Sequence, residues 1–287
     1  MAIASGKPSQ PRRSLLAALT GLVLAATVGG AWLLVASAGR RARAAEEILQ
    51  EIRSRGLAKL MPEKPTIRWY LVHGDSGPVG WRAQATGRID QASFVGVDMQ
   101  VVAATSAVEN WTLSADATQG EYLAVERIRG RMLSRTEIAM ANGRVKVLQA
   151  FPREPPGVFH AASPAPPNYL PEGLHELVIS QVSARGADAQ FKLVFNERPN
   201  HFGYVDYGTL RFQALTGGAG RSVRVSGARG REKHASVYTV DSAGQIREVS
   251  MGTTRLTPAN TQQVIRLFPE AADRLRSQLP DILRGAI

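Results

Sequence analysis

Residues able to do covalent or acid–base chemistry are sparse in this chain. Ser76 lies in Gly74-Asp75-Ser76-Gly77-Pro78 with His73 just before it, and the other histidines, His160, His175, His201 and His234, are scattered without a repeating interval. A serine nucleophile needs an imidazole base within hydrogen-bond reach and a carboxylate to orient that base. His73 is too close to Ser76 along the chain to take up that geometry, and no histidine precedes it. His175-Glu176 opens the spacing of a helical two-histidine zinc site, but position 179 is Ile where the second ligand belongs. His73 and Asp75 could share a metal only from a turn, and no third ligand is evident. The chain contains no cysteine, which removes disulfides, thiolate ligands and cysteine nucleophiles together. No catalytic residue, metal ligand or cofactor is therefore assigned, and a binding role is favoured over an enzyme.

The Gly-Asp-Ser-Gly string resembles the segment around the nucleophile of chymotrypsin-type proteases. In that family the base and the carboxylate come from well upstream, where this chain holds only an apolar run and one expected helix. A polar hairpin turn is the expected reading.

Two other clusters are candidate contact sites. Arg221, Arg224, Arg229, Arg231 and Lys233 lie among glycines and read as a basic loop able to touch phosphate, headgroups or an acidic partner, or else as a solvated hairpin tip. No aromatic residue interleaves them, so a stacking platform for single-stranded nucleic acid is missing. Phe202, Tyr204 and Tyr207 are the densest aromatic group and would line an apolar pocket or join a sheet core. Asn110-Trp111-Thr112 matches a glycosylation sequon but falls inside an expected strand.

These residues must be carried by a chain whose strongest feature is the uncharged apolar run from Ser14 to Ala38, bracketed by Arg12-Arg13 and Arg40-Arg41. As a helix it would span roughly 37 Å, enough to cross a hydrocarbon core with some tilt. Ala36-Ser37-Ala38 and Ala42-Arg43-Ala44 fit signal cleavage sites, but the run is much longer than a signal h-region, so an uncleaved single-pass anchor is expected. Arg40, Arg41, Arg43, Arg53 and Arg55 outnumber Lys7, Arg12 and Arg13, which points the large domain to the cytoplasm. The signal-like N-terminus and the β-rich remainder point the other way, and we expect an extracytoplasmic (periplasmic) domain.

The first 44 residues hold six basic residues and no acid, and so carry +6 of the formal net charge of +11. The remainder is only mildly basic, which argues against nucleic acid as a partner.

Beyond the anchor, Ala44 to Leu60 reads as a juxtamembrane helix with the stripe Ile48, Leu49, Ile52, weakened at Gly56 and stopped by Pro62 and Pro65. Period-two segments then follow: 67–73, 79–85, 94–103, 110–115, 122–128, and 136–141 with 144–149 around Asn142-Gly143, a strong hairpin signal. Seven prolines between Pro152 and Pro171 predict an extended connector. Strands are expected again over 176–182, 190–195, 208–215, 222–226, 235–240 and 246–251. Thr257-Pro258 then reads as the start of a helical stretch, kinked or divided at Pro269 and Pro280. Residues 108–130 also match 205–227 without gaps, which hints at duplication.

The expected organisation is thus a basic tail (1–13), a transmembrane helix (14–38), a juxtamembrane helix and linker (39–65), a first β-rich half (66–151), the connector (152–171), a second half (172–256) and a helical end (257–287). The fold class is an N-terminal transmembrane helix plus an α+β domain: a curved, mostly antiparallel sheet with the juxtamembrane and C-terminal helices packed on it. In element order this resembles the half-barrel of periplasmic lipoprotein carriers. That likeness implies an apolar cavity for a lipid or similar ligand.

The leading expectation is a membrane-anchored binding or scaffold domain of an envelope assembly. A tethered carrier of a lipid or other apolar ligand is the alternative, and a hydrolase the third reading. Partners expected are the membrane itself, and a second copy or another membrane protein through Ala17, Gly21, Ala25 and Gly29, which lie on one face of the anchor helix. Replacing Gly21 and Gly29 with Ile should abolish self-association in a membrane-helix dimerisation assay; an unchanged signal would show that this face makes no contact.

Overall fold

Alternation of apolar and polar residues organises residues 66–259 into strands, and in the computed structural model these form one antiparallel sheet. The structure describes residues 35–152, 157–194, 203–215, 221–229 and 232–286. The chain divides into two units, Met1–Arg41 and Ala42–Ile287. Of the first unit, residues 35–41 are helical. Most of the expected transmembrane helix, and all four residues of its small-residue face, lie outside the described residues. Among the described residues no helix is long and apolar enough to cross a membrane.

The second unit begins with helix α1 (42–55) and a short turn of helix α2 (Leu57–Leu60). Eight strands follow: β1 (Thr66–Gly74), β2 (Gly77–Arg88), β3 (Ser93–Val102), β4 (Thr105–Ser114), β5 (Gly120–Ile128), β6 (Arg131–Ala141), β7 (Arg144–Phe151) and β8 (Gly157–Pro164). Helix α3 (His175–Arg185) precedes β9 (Ala189–Val194), β10 (Tyr207–Leu215), β11 (Arg221–Arg229), β12 (Glu232–Val240), β13 (Ile246–Met251) and β14 (Thr254–Ala259). Helices α4 (Thr261–Leu267), α5 (Ala271–Arg276) and α6 (Asp281–Arg284) close the chain.

The sheet order is β8-β7-β6-β5-β4-β3-β2-β1-β14-β13-β12-β11-β10-β9, two meanders joined where β1 pairs with β14. Asn142 and Gly143, both at positive φ, make the two-residue β6–β7 turn expected of that dipeptide. Among the described residues no strand pair closes the sheet. Its two edges are covered instead by irregular chain, which blunts an otherwise exposed ladder. Residues 168–170 lie along β9, with Lys192 N donating to Asn168 O (2.9 Å) and Leu170 N to Lys192 O (2.7 Å). At the other edge, Ala162 N of β8 donates to Gly203 O (2.9 Å).

One face of the sheet encloses α1 and α3. Ile48, Leu49 and Ile52 of α1 and Val178, Ile179 and Val182 of α3 are all buried with Phe191, Phe212 and Leu256 of the strands. Arg185 at the end of α3 pairs with Glu51 of α1. The opposite face, over β1–β4, is covered by Val264, Ala271, Leu275, Leu279 and Leu283 of the C-terminal segment, which pack on Trp69, Trp81, Val95 and Val97. Each fully buried aliphatic side chain contributes about 1.5–3 kcal/mol.

The structure corrects three sequence expectations. Residues 176–182 form helix, not strand: Val178, Ile179 and Val182 fall on one helical face, and Gly186, at φ 63°, ends the helix with its N–H on Val182 O. The proline-rich stretch contains strand β8, because Pro164 is its last residue and the run between the prolines alternates. Thr257-Pro258 belongs to β14; β13 pairs only as far as Leu256, so the missing proline N–H falls where no β13 residue is paired. The helix starts instead at Asn260, whose side chain and that of Gln263 form a capping box. Pro269 and Pro280 do separate the three short C-terminal helices. The gapless match of residues 108–130 to 205–227 is not a repeated hairpin, since Leu113 pairs with Gly120 whereas its counterpart Leu210 pairs with Gly227.

Trp111 keys the interior together. A Cβ on Gly96 of β3 or on Gly173, just before α3, would run into its indole ring. Gly96→Ala should therefore cost about 1–3 kcal/mol of stability by overpacking, read as a lower chemical-denaturation midpoint with an unchanged far-UV spectrum.

Candidate functional site

The inner face carries a belt of polar residues built by ladder register. Arg68 stands opposite Gln84, Gln84 opposite Asp98, and Asp98 opposite Glu109; further round the wall, Thr136 faces Gln149. Each occupies an inward position of an otherwise apolar strand, where burial of a polar group is costly unless it is hydrogen-bonded. Arg82 Nε lies 2.8 and 3.0 Å from the two Asp98 oxygens, and Gln84 Nε2 donates to Asp98 Oδ2 at 2.9 Å. Arg68 pairs with Glu176 of α3. Ser134 donates to Glu126 at 2.8 Å. The Arg82 and Asp98 side chains keep 23% and 17% of their exposure, so water reaches this part of the interior.

The belt shifts the titration of its members. Burial, reinforced by the facing Asp98, pushes Glu109 up to about 7, although Arg82 and a hydrogen bond with Tyr122 work the other way. Burial and then Glu109 push Glu172, on the segment leading into α3, up to about 8. Burial and then Arg82 push His175 down to about 4; its ring packs against Phe212 and Tyr238 with centroids 5.2 and 5.9 Å away. Perturbed groups of this kind concentrate at functional sites, though structural networks produce them too.

The outward face holds a second feature. The C-terminal helices cover β1–β3 and part of β4, and a recess of about 990 Å³ over β4–β8 opens where that cover ends, against Gln278, Leu279 and Pro280. Its floor presents Glu121, Arg135, Glu137 and Lys146 with Leu123 and Leu148 between them, and His160 on β8. Arg135 and Glu137 form a surface ion pair (2.6 Å). Asn110 Oδ1, also in this lining, is buried with no hydrogen-bond partner among the described residues.

The residues singled out in the sequence are dispersed. Asp75 and Ser76 form the exposed β1–β2 turn, and His73 shares a 2.9 Å hydrogen bond with Thr257. Arg221, Arg224 and Arg229 lie on β11 and Lys233 on β12, so what reads as a loop is mostly paired strand; Arg231 lies outside the described residues. Tyr204 is 72% exposed, while Tyr207 donates to Pro164 O (3.0 Å) and packs against Tyr169. These two do not line a common pocket, and Phe202 lies outside the described residues. The belt residues Arg82, Asp98, Glu109 and Glu172 were not legible as a site, although polar residues at the inward phase of an apolar strand are the signal that would have found three of them.

The pH dependence follows from these directions. The folded protein retains protons on Glu109 and Glu172 that the unfolded chain has released, so their contribution is complete below the ordinary carboxylate range and is lost as pH rises through about 7 to about 8. His175 acts in the opposite sense: its contribution is present above its ordinary value near 6.5 and is lost as pH falls towards about 4. Unfolding free energy should therefore drop between pH 6 and pH 9 by something on the order of 2 kcal/mol. The double variant Glu109→Gln, Glu172→Gln should lack that drop in urea denaturation at the two pH values.

No protein-family model matches this chain, and no curated protein matches it. Among solved structures it is similar to a β-barrel-like protein of domain of unknown function DUF1849 from Brucella abortus, with 10% identity over 70% of this chain and 98% of that one and a TM-score of 0.48.

Proposed function

We propose that this chain is a non-catalytic binding protein, tethered to a membrane through residues 14–38 with its β-rich body on the extracytoplasmic side, and that its ligand lies in the outer recess over β4–β8. The observation that carries this reading is the recess itself: about 990 Å³, at the upper end of ligand-pocket sizes, with charges of both signs and apolar side chains on one floor. Glu121 and Glu137 balance Arg135 and Lys146, which disfavours a polyanion. The four charges equally disfavour a purely apolar molecule. An amphipathic ligand bearing both an acidic and a basic group, such as a short peptide segment, matches the lining.

The carrier reading with an internal apolar cavity has less support. The interior volume it needs is occupied by side chains of α1, α3 and Trp111, and a polar belt crosses the wall beside them. A hydrolase has less still, because His73 is engaged with Thr257 and Ser76 stands at a turn tip.

The absence of cysteine makes a clean test available. A fluorophore placed through Ala139→Cys, in the recess, should report saturable binding of short zwitterionic amphipathic peptides. Adding Leu148→Asp should weaken that binding about tenfold or more, since it replaces an apolar contact by a charge. The same fluorophore at Ser76→Cys should report nothing. No response at position 139 to a peptide panel, or an equal response at position 76, would refute the assignment.

A further inference from the structure

Ladder register orders the floor of the outer recess into rows that run across the strands. Glu121 of β5, Ala139 of β6 and Lys146 of β7 stand directly opposite one another in one such row. In the adjacent row Asn110 of β4 lies diagonal to Glu121, and His160 of β8 lies diagonal to Lys146, with Leu123 and Leu148 between them. All of these residues belong to the recess lining. Arg135 and Glu137, two residues apart on β6, satisfy each other as an ion pair. Glu121 and Lys146 do not: neither side chain has a hydrogen-bond or ion-pair partner among the described residues. Two strand spacings separate them, about 10 Å. The floor therefore has two chemically distinct ends. At the β4–β5 end Glu121 and Asn110 present acceptor oxygens, and Asn110 Oδ1 is buried there without a hydrogen-bond partner among the described residues. A buried acceptor left unmade is costly, and an N–H of a ligand would satisfy it. At the β7–β8 end Lys146 presents an ammonium group and His160 a ring N–H.

We propose that the recess is a two-point clamp for the free ends of a short extended peptide, whose ammonium group donates to Glu121 and Asn110 and whose carboxylate accepts from Lys146 and His160. This rests on the recess being the ligand site, and it adds to that reading a ligand length and a direction. An extended residue spans at most about 3.3–3.6 Å, so three residues cover about 10 Å. That length matches the spacing of Glu121 and Lys146, which makes a tripeptide the best fit. The peptide lies across the strands with its amino end over β4–β5 and its carboxylate over β7–β8. Leu123 and Leu148, in the row between Asn110 and His160, give its apolar side chains a surface to cover. A peptide with only one free end engages one point of the clamp.

Isothermal titration calorimetry on the full chain in detergent micelles tests this with leucyl-alanyl-leucine as the probe. Acetylating its amino end or amidating its carboxyl end should each weaken binding about fivefold or more, the loss of one exposed charged contact at the strong end of its range. Leucyl-leucine, too short to reach both ends, should bind about as weakly. In Glu121→Gln the acetylated and free tripeptides should bind equally, and in Lys146→Gln the amidated and free tripeptides should do so. Binding lost in Glu121→Lys should return when Lys146→Glu is added, because the reversed peptide then fits. The end-blocked peptides on the wild type give the answer if a variant does not fold. Equal affinity of free and end-blocked tripeptides, with binding still weakened by Leu148→Asp, would overturn the clamp while keeping the recess as the site. Binding of none of these peptides would overturn the recess reading and the clamp together.

Discussion

The pairing of β1 with β14 is the constraint on which the rest of the structure depends. It joins residues as far apart as His73 and Thr257, 184 positions along the chain, and turns two separate meanders into one sheet. Because β1 leads into β2–β8 and β14 terminates β9–β13, this single ladder aligns the inward Tyr70 with Pro258 and Val72 with Leu256, and the outward Trp69 with Ala259. The C-terminal helices follow β14 directly, so the same ladder also places Leu275, Leu279 and Leu283 over Trp69 and Trp81. Such a contact closes a long loop, and the packing it makes possible must offset that loop-closure entropy.

Once the sheet curls, its interior must be filled, and the chain does this unevenly. Near α1 and the body of α3 the filling is apolar. Across β1–β4 it is ionic, with Arg68–Glu176 and Arg82–Asp98 as the principal pairs. Partly buried pairs of this kind return little net stability, because desolvation offsets their attraction, but breaking one leaves an uncompensated charge. The belt therefore constrains which residues can lie opposite it more than it strengthens the fold. Glu109, which stands opposite Asp98, and Glu172 are the members whose burial holds them above the ordinary carboxylate range.

Much of the strand pattern is legible in the sequence because it depends on local rules. Alternation finds β1–β7 to within a few residues, and Asn142-Gly143 identifies its turn through the positive φ that both residues must adopt. The errors arise where local preference is overridden. The β-branched residues of 176–182 favour a strand by composition, but their burial pattern has helical spacing against β10–β12. Pro258 suggests a helix start, yet it is tolerated in β14 because β13 ends its pairing at Leu256. The candidate site was less legible still. Asp98 and Glu109 are eleven residues apart and look unrelated until the β3–β4 register sets them face to face.

What the sequence determined by itself is therefore what short-range chemistry dictates: which stretches are extended, where the tight turns fall, that cysteine chemistry is absent, and that residues 14–38 carry no charge. Only the tertiary structure decided that the two meanders join through β1 and β14, that α3 and its preceding segment plug the interior, and that the outer recess lies where the C-terminal helices stop. Periodicity states which face a residue takes in its own strand. It cannot state which residue of another strand will stand opposite, because that register is set by long-range pairing and by the packing of the whole core.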